Sequence, residues 1–296
     1  MQRRLIWIFL AFAAGIVCVY VATRVVHVAY NFLMSGQASV YEQQDSALKN
    51  RVAVLAPISA TAYAAMQFRD ESIIASKKEE TVLPIASLTK LMTALVAEKY
   101  ISPDKKIKVT FAALSTEGET GNLKAGEVIR VGDLFYPLLL ESSNDAAEVI
   151  ARDYGYDTFI SLMNKEAKAI GLKKTRFDDP TGLSLGNVST ATDLLRLSKY
   201  MYKNHPRIFE ITREKKYSIK GHVWENPTHF LNLSSYKGGK NGFTYGALKT
   251  SVSIFTTSAG EDVAVVVLRS NDRDRDVLAI IDAIEKAEQV EEALAR

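Results

Sequence analysis

The first hydrophobic feature of the chain is an unbroken run: Leu5 to Thr23 reads LIWIFLAFAAGIVCVYVAT, nineteen residues without a charge. As a helix at 1.5 Å per residue it would span roughly 28 Å, close to the hydrocarbon thickness of a bilayer. Arg3 and Arg4 precede it, and Trp7 and Tyr20 lie near its two ends. This pattern predicts a transmembrane signal anchor over residues 1–33 with its N-terminus in the cytoplasm. A cleaved signal peptide is the alternative, since Ala11-Phe12-Ala13 resembles a cleavage site, but the apolar run continues beyond it. Either way the remainder is exported. Residues 34–58 have no sustained period and read as a linker, which leaves 59–296 as the exported domain.

In that domain the period changes along the chain. Thr61–Phe68 and Ser72–Ser76 read as strands joined by a polar turn at Arg69–Glu71. A helix is predicted from Ala86 to about Tyr100, carrying Leu88, Leu91, Met92, Leu95 and Val96. Further helices are predicted at 132–141, 145–153, 157–170 (with Gly171 as C-cap) and 191–203. Lys174–Gly186, rich in Asp, Pro and Gly, reads as loop. Lys216–Ile219, Gly239–Phe243, Ala247–Thr256 and Val263–Arg269 read as strands, and a last helix runs from about Arg273 to Ala295. Strands, then helices, then strands and a helix predict an α+β class. Its antiparallel sheet draws on both ends of the domain, with a helical insert between.

Composition narrows the chemistry. The net charge of +3 comes from Arg3, Arg4 and Arg24, since residues 1–41 hold no acid; from Glu42 onward 34 basic residues balance 34 acidic ones. That balance excludes the basic stripe of a nucleic-acid binder. The single cysteine, Cys18, excludes an intrachain disulfide and falls inside the apolar run. The preceding Gly15-Ile16-Val17 lacks the small residue expected beside a lipoprotein cysteine. His27, His205, His222 and His229 are scattered without cysteine companions, so no metal site is expected.

Three segments carry candidate chemistry. Ser87-Leu88-Thr89-Lys90 opens a helix, and residues i and i+3 share a face, so the Lys90 amine can reach the Ser87 hydroxyl as its base. The spacing alone is weak: Ser46/Lys49, Ser102/Lys105 and Ser234/Lys237 repeat it. Ser142-Ser143-Asn144, the one S-x-N in the chain, falls between two helices, where it either faces a cleft or serves as an N-cap. Gly238-Gly239-Lys240-Asn241-Gly242-Phe243-Thr244 enters a strand and is rich in the glycine a close backbone approach needs; an ordinary turn is the other reading.

S-x-x-K, S-D-N and K-T-G together are the signature set of penicillin-binding proteins and class A β-lactamases. The wording around them resembles the D-alanyl-D-alanine carboxypeptidases among the low-molecular-weight penicillin-binding proteins, serine peptidase family S11. The resemblance covers about residues 60–270. It rests on PIASLTKLMTAL at 84–95, LKAGEVIRVGDLFYPLLLESSNDAAEVIA at 123–151, FISLMNKEAKAIGLKKTRFDDPTGL at 159–183 and STATDLLRLSKYM at 189–201. It implies the β-lactamase/penicillin-binding-protein (transpeptidase-like) fold and a penicillin-sensitive serine DD-peptidase on the extracytoplasmic side of the membrane. Its partners would be peptidoglycan stem peptides and, as covalent inhibitors, β-lactams; it requires no cofactor.

By the same resemblance Ser87 attacks the bond before the terminal D-alanine and Lys90 takes its proton. Ser142 relays a proton to the leaving amine, and Asn144 holds the substrate amide. Lys240 supplies positive charge. Asn241, Gly242, Phe243 and Thr244 bind substrate, with the Ser87 and Phe243 N–H groups as the oxyanion hole. Asn241 stands where the family carries threonine, the residue that binds the terminal carboxylate. That departure leaves two alternatives beside removal of terminal D-alanine: a DD-endopeptidase on cross-linked stems, and a catalytically weakened peptidoglycan-binding homologue. A β-lactamase would need a deacylating base, and no E-x-x-L-N-like segment supplies one. Many relatives add a small β domain and a C-terminal anchor; here the N-terminal run is expected to provide any membrane attachment.

Overall fold

Val263–Leu268 is six consecutive apolar residues, all fully buried, as expected of a strand covered on both faces. In the computed structural model, which describes residues 57–118 and 121–295, this run lies in the middle strand of a five-stranded sheet. The strands are β1 (Ala62–Gln67), β2 (Ile73–Lys77), β9 (Tyr236–Thr244), β10 (Leu248–Thr256) and β11 (Asp262–Ser270), in the order β2-β1-β11-β10-β9. All pairings are antiparallel; Ala62 faces Leu268 and Lys240 faces Val252. β9 is an edge strand, so one side of its backbone is left for the site.

Alternation assigns the two faces. Ala62, Ala64, Met66, Val252, Ile254, Ala264, Val266 and Leu268 join the main core with the helical insert. The other face is covered by the last helix, whose Val277, Ile280, Ile281 and Ile284 are buried. At its first turn Asp276, fully buried, accepts hydrogen bonds from Ser59 N–H (2.9 Å), Ser59 Oγ (2.7 Å), Ala60 N–H (2.8 Å) and Ser270 Oγ (2.7 Å). One carboxylate thus ties the start of β1 to the end of β11.

The insert comprises α1 (Thr89–Tyr100), α2 (Val131–Leu139), α3 (Asn144–Tyr154), α4 (Tyr156–Ile170), α5 (Ala191–Asn204) and the short α6 (Pro206–Ile211); the last helix is α7 (Arg273–Ala295). α1 is buried from Thr89 through Ala97, the signature of a helix inside the core rather than on it. Gly171 ends α4 in the left-handed conformation (φ 83°), as predicted.

The α+β order holds, with additions the sequence pattern did not predict. Three ribbons join β3 (Leu83–Pro84) to β6 (Val188–Ser189), β4 (Lys106–Lys108) to β5 (Val128–Arg130), and β7 (Lys216–Ile219) to β8 (His222–Glu225). Lys216–Ile219 is therefore a strand, but of its own hairpin and not of the main sheet. The predicted anchor and all of the predicted linker up to residue 56 lie outside the described residues. Among the described residues no helix is long and apolar enough to cross a membrane.

Candidate active site

Ser87 is delivered to the edge of the sheet by a tight 3₁₀ turn, Ala86–Leu88, that runs directly into α1. Two hydrogen bonds and one unusual dihedral define the turn. Ile85 N–H donates to Asn187 O (3.1 Å), Thr250 Oγ1 donates to Ile85 O (3.1 Å), and Ala86 adopts φ 50°, a rare conformation for a residue with a side chain. Gly242 on β9 explains the fit. A Cβ there would sit 2.9 Å from Ser87 N and 2.6 Å from Thr250 Oγ1, so only glycine lets β9 pass this close. Gly182 meets Ala86 O in the same way, from the other side.

One turn on, Lys90 is fully buried, and its Nζ donates to Ser87 Oγ (3.0 Å), Asn144 Oδ1 (2.7 Å) and Thr181 O (2.6 Å). Thr181 belongs to a loop organised by Asp179. Asp179 Oδ1 accepts from Thr181 N–H (2.6 Å), Thr181 Oγ1 (2.7 Å) and Gly182 N–H (2.6 Å); Oδ2 accepts from Ser184 N–H (2.7 Å) and Asn187 Nδ2 (2.7 Å). Burial opposes this charge, but the hydrogen bonds from Thr181, Ser184 and Gly182 outweigh it and hold the carboxyl below its ordinary pKa.

The S-x-N segment divides its labour. Ser143 is the N-cap of α3, its Oγ accepting from Ala146 N–H (3.1 Å), so the capping role predicted as an alternative falls to the middle residue. Ser142, at φ 63°, and Asn144 both line the cavity beside Ser87. Asn144 Nδ2 donates to Glu117 O (2.7 Å). Behind it on α3, burial and then the Glu148 charge push Asp145 up to about 6.

From β9 Lys240, 5% exposed, donates to Ser142 Oγ (2.9 Å) and to Asn241 O (2.8 Å). Asn241 Oδ1 accepts from Ser251 Oγ (2.8 Å) on β10, which leaves Nδ2 without a protein partner among the described residues. The cavity, about 340 Å³, is lined by Ser87, Ser142, Asn144, Lys240, Asn241, Gly242 and Phe243, with Lys90 buried behind Ser87. Thr244 is not brought there: its hydroxyl accepts from Ala247 N–H (3.1 Å) in the β9–β10 turn. Arg273, which the sequence reading used only as a helix start, lines the cavity and donates from Nη1 to Gly242 O (3.0 Å). No motif marks it, and only the fold places it. Among the described residues no cluster of His, Cys, Asp or Glu is arranged to hold a metal ion.

Two lysine–serine pairs, Lys90–Ser87 and Lys240–Ser142, therefore converge on one cavity from three elements distant in sequence. Residues 49–272 match the Peptidase S11 family, D-alanyl-D-alanine carboxypeptidase. The chain is 33% identical over 221 residues to a D-alanyl-D-alanine endopeptidase of Escherichia coli K12, covering 72% of this chain and 68% of that protein. It is 31% identical over 264 residues to the D-alanyl-D-alanine carboxypeptidase DacC of the same organism, covering 82% and 65%. Its fold matches penicillin-binding protein D2 of Listeria monocytogenes, solved in a cefotaxime-bound form, with a TM-score of 0.71 and 27% identity over 77% of this chain and 98% of that one.

Proposed function

The chain belongs to the S11 family of D-alanyl-D-alanine carboxypeptidases, serine DD-peptidases that act on peptidoglycan, and from that premise we propose that it cleaves stem peptides through an acyl-enzyme on Ser87. The observation that carries this reading is the convergence of Lys90 on Ser87 and of Lys240 on Ser142 in one cavity.

The proposed cycle follows from those contacts. Lys90, already in contact with the hydroxyl, takes the Ser87 proton as Oγ attacks the penultimate D-alanine carbonyl. The Ser87 and Phe243 N–H groups hold the oxyanion, and losing one such donor typically costs roughly 10²–10³ in rate. Collapse breaks the C–N bond, and Ser142, held by Lys240, passes a proton to the leaving amine. Water then cleaves the ester and returns Ser87 to its starting state. Asn144 aligns the substrate amide, while Asn241 Nδ2 and Arg273 receive the carboxylate on the leaving residue.

Release of a terminal D-alanine is the simplest outcome. Cleavage of cross-linked stems is the second reading, favoured by the identity to an endopeptidase and by Asn241 in place of threonine. The apolar run Leu5–Thr23 would hold the enzyme at the membrane with its catalytic domain outside the cytoplasm.

The test is covalent labelling. The full chain incubated with a fluorescent penicillin acquires a persistent label that Ser87→Ala lacks. Rapid loss of label would indicate a β-lactamase. Failure of the wild type to label would leave only a peptidoglycan-binding role.

A further inference from the structure

The cavity is longer than removal of one residue requires. Along β9 it is lined from Tyr236 to Phe243, about 23 Å of strand at roughly 3.3 Å per residue. On the proposed cycle the leaving group departs toward Ser142, which is held by Lys240, two residues before Gly242 on β9. A departing D-alanine, about 3.5 Å long, would on that path end beside Asn241 and Lys240. The same cavity also takes in a recess at the Tyr236 end of β9, lined by Asn226, Pro227, Thr228, His229 and Tyr236.

The recess wall is built. Asn226 N–H donates to Lys215 O (2.9 Å), its Nδ2 to Thr212 O (2.8 Å), and its Oδ1 accepts from Thr228 N–H (3.1 Å). The β7–β8 hairpin that leads into this segment is fastened to α2 by Tyr217 stacked on Tyr136 (centroids 3.5 Å, planes 7° apart). Trp224 Nε1 fastens it to Gly121 O (2.6 Å). Asn226 is thereby consumed in holding the wall. His229, exposed on that wall, makes no hydrogen bond or ion pair with any described residue. A rigid, polar extension with an uncommitted imidazole suits a ligand carrying peptide carbonyls or a carboxylate.

We propose that the recess between residues 226–229 and the start of β9 receives the second peptide of a cross-linked stem, with His229 as a specificity-determining contact. This rests on the reading of Ser87 as the nucleophile. The leaving group is then a D-configured centre whose side chain continues into another stem. Cleavage consumes one water across the same C–N bond and releases two separate stems.

The experiment uses the full chain with three substrates: a purified cross-linked muropeptide dimer, a monomeric pentapeptide and a fluorescent penicillin. The wild type cuts the dimer as well as releasing D-alanine from the pentapeptide. In His229→Ala the ratio of dimer cleavage to penicillin acylation falls about tenfold, mainly through KM. Pro227→Trp, which fills the recess from an exposed position, lowers it further. A wild type that is acylated and trims pentapeptide but leaves the dimer intact, or a ratio unmoved in both variants, overturns the recess and leaves Ser87 chemistry standing. Absence of acylation removes both readings together.

Discussion

Asp179 offers the strictest test of how the site is held, because one side chain carries a whole loop. Asp179→Asn keeps a neutral acceptor at Oδ1 but turns Oδ2 into an NH₂ that confronts two donors, Ser184 N–H and Asn187 Nδ2. Two hydrogen bonds to a charged group, at about 1.5–3 kcal/mol each, are lost; with partial access of water the lower end applies, about 3 kcal/mol. At about 2–4 °C per kcal/mol for a domain of this size, Tm should fall by about 6–12 °C at pH 7. The same loop presents Thr181 O to Lys90 and Pro180 O to Thr93 Oγ1 (2.6 Å), so penicillin acylation should slow by at least tenfold. Acid supplies an internal control. The folded pKa of Asp179 lies below its ordinary 3.8, so its stabilisation is complete above 3.8 and is lost as pH falls through the lower folded value. Thermal denaturation of both proteins across pH 3–7 should therefore show a gap that is constant near neutrality and begins to narrow below pH 3.8. A variant melting within about 2 °C of wild type at pH 7, or a gap that widens in acid, would refute the reasoning.

Two further outcomes are expected. Gly242→Ala puts a methyl 2.9 Å from Ser87 N, so β9 and the nucleophile must separate; acylation should drop about 10²-fold with a far smaller change in Tm, and an unchanged acylation rate would refute the packing argument. Asn241→Thr restores the family residue in a strand that favours a β-branched side chain, and D-alanine release from pentapeptide should rise about fivefold, equivalent to one hydrogen bond of about 1 kcal/mol. Lower release would show that Asn241 Nδ2 already serves the carboxylate better than a hydroxyl does.

Much of this was legible in the chain because long, periodic segments announce themselves. The apolar run Val263–Leu268, the helices at 86–100 and 191–203, and the final helix fall where their spacing puts them. The three motif elements also meet in one cavity, apart from Thr244, which turn chemistry claims instead. What escaped has no period to read. The two-residue ribbon β3–β6 exists only because distant segments pair, and α6 is too short for an amphipathic pattern. The stretch 174–186 was correctly a loop, yet its role as the wall that reaches Lys90 depends on hydrogen bonds to one aspartate. Arg273 looks like any charged residue at a helix start until β9 is laid beside it.

The order of strands in the sheet also dictates when the molecule can come into being. β1 is made early, but its inner neighbour β11 is the last strand among the described residues; Thr61 bonds to Arg269, 208 residues away. Until that final strand emerges, the β1–β2 hairpin has no partner for its apolar edge, and Ser59 and Ala60 wait for an Asp276 that has not yet been made. Pairings of such long separation are slow to form because the intervening chain must first be brought together. A chain synthesised from its N-terminus therefore stays without a central sheet, and without the second lysine–serine pair, until β11 has been made. Closure of the sheet is thus a late event, and any agent that recognises the finished cavity reports on its completion.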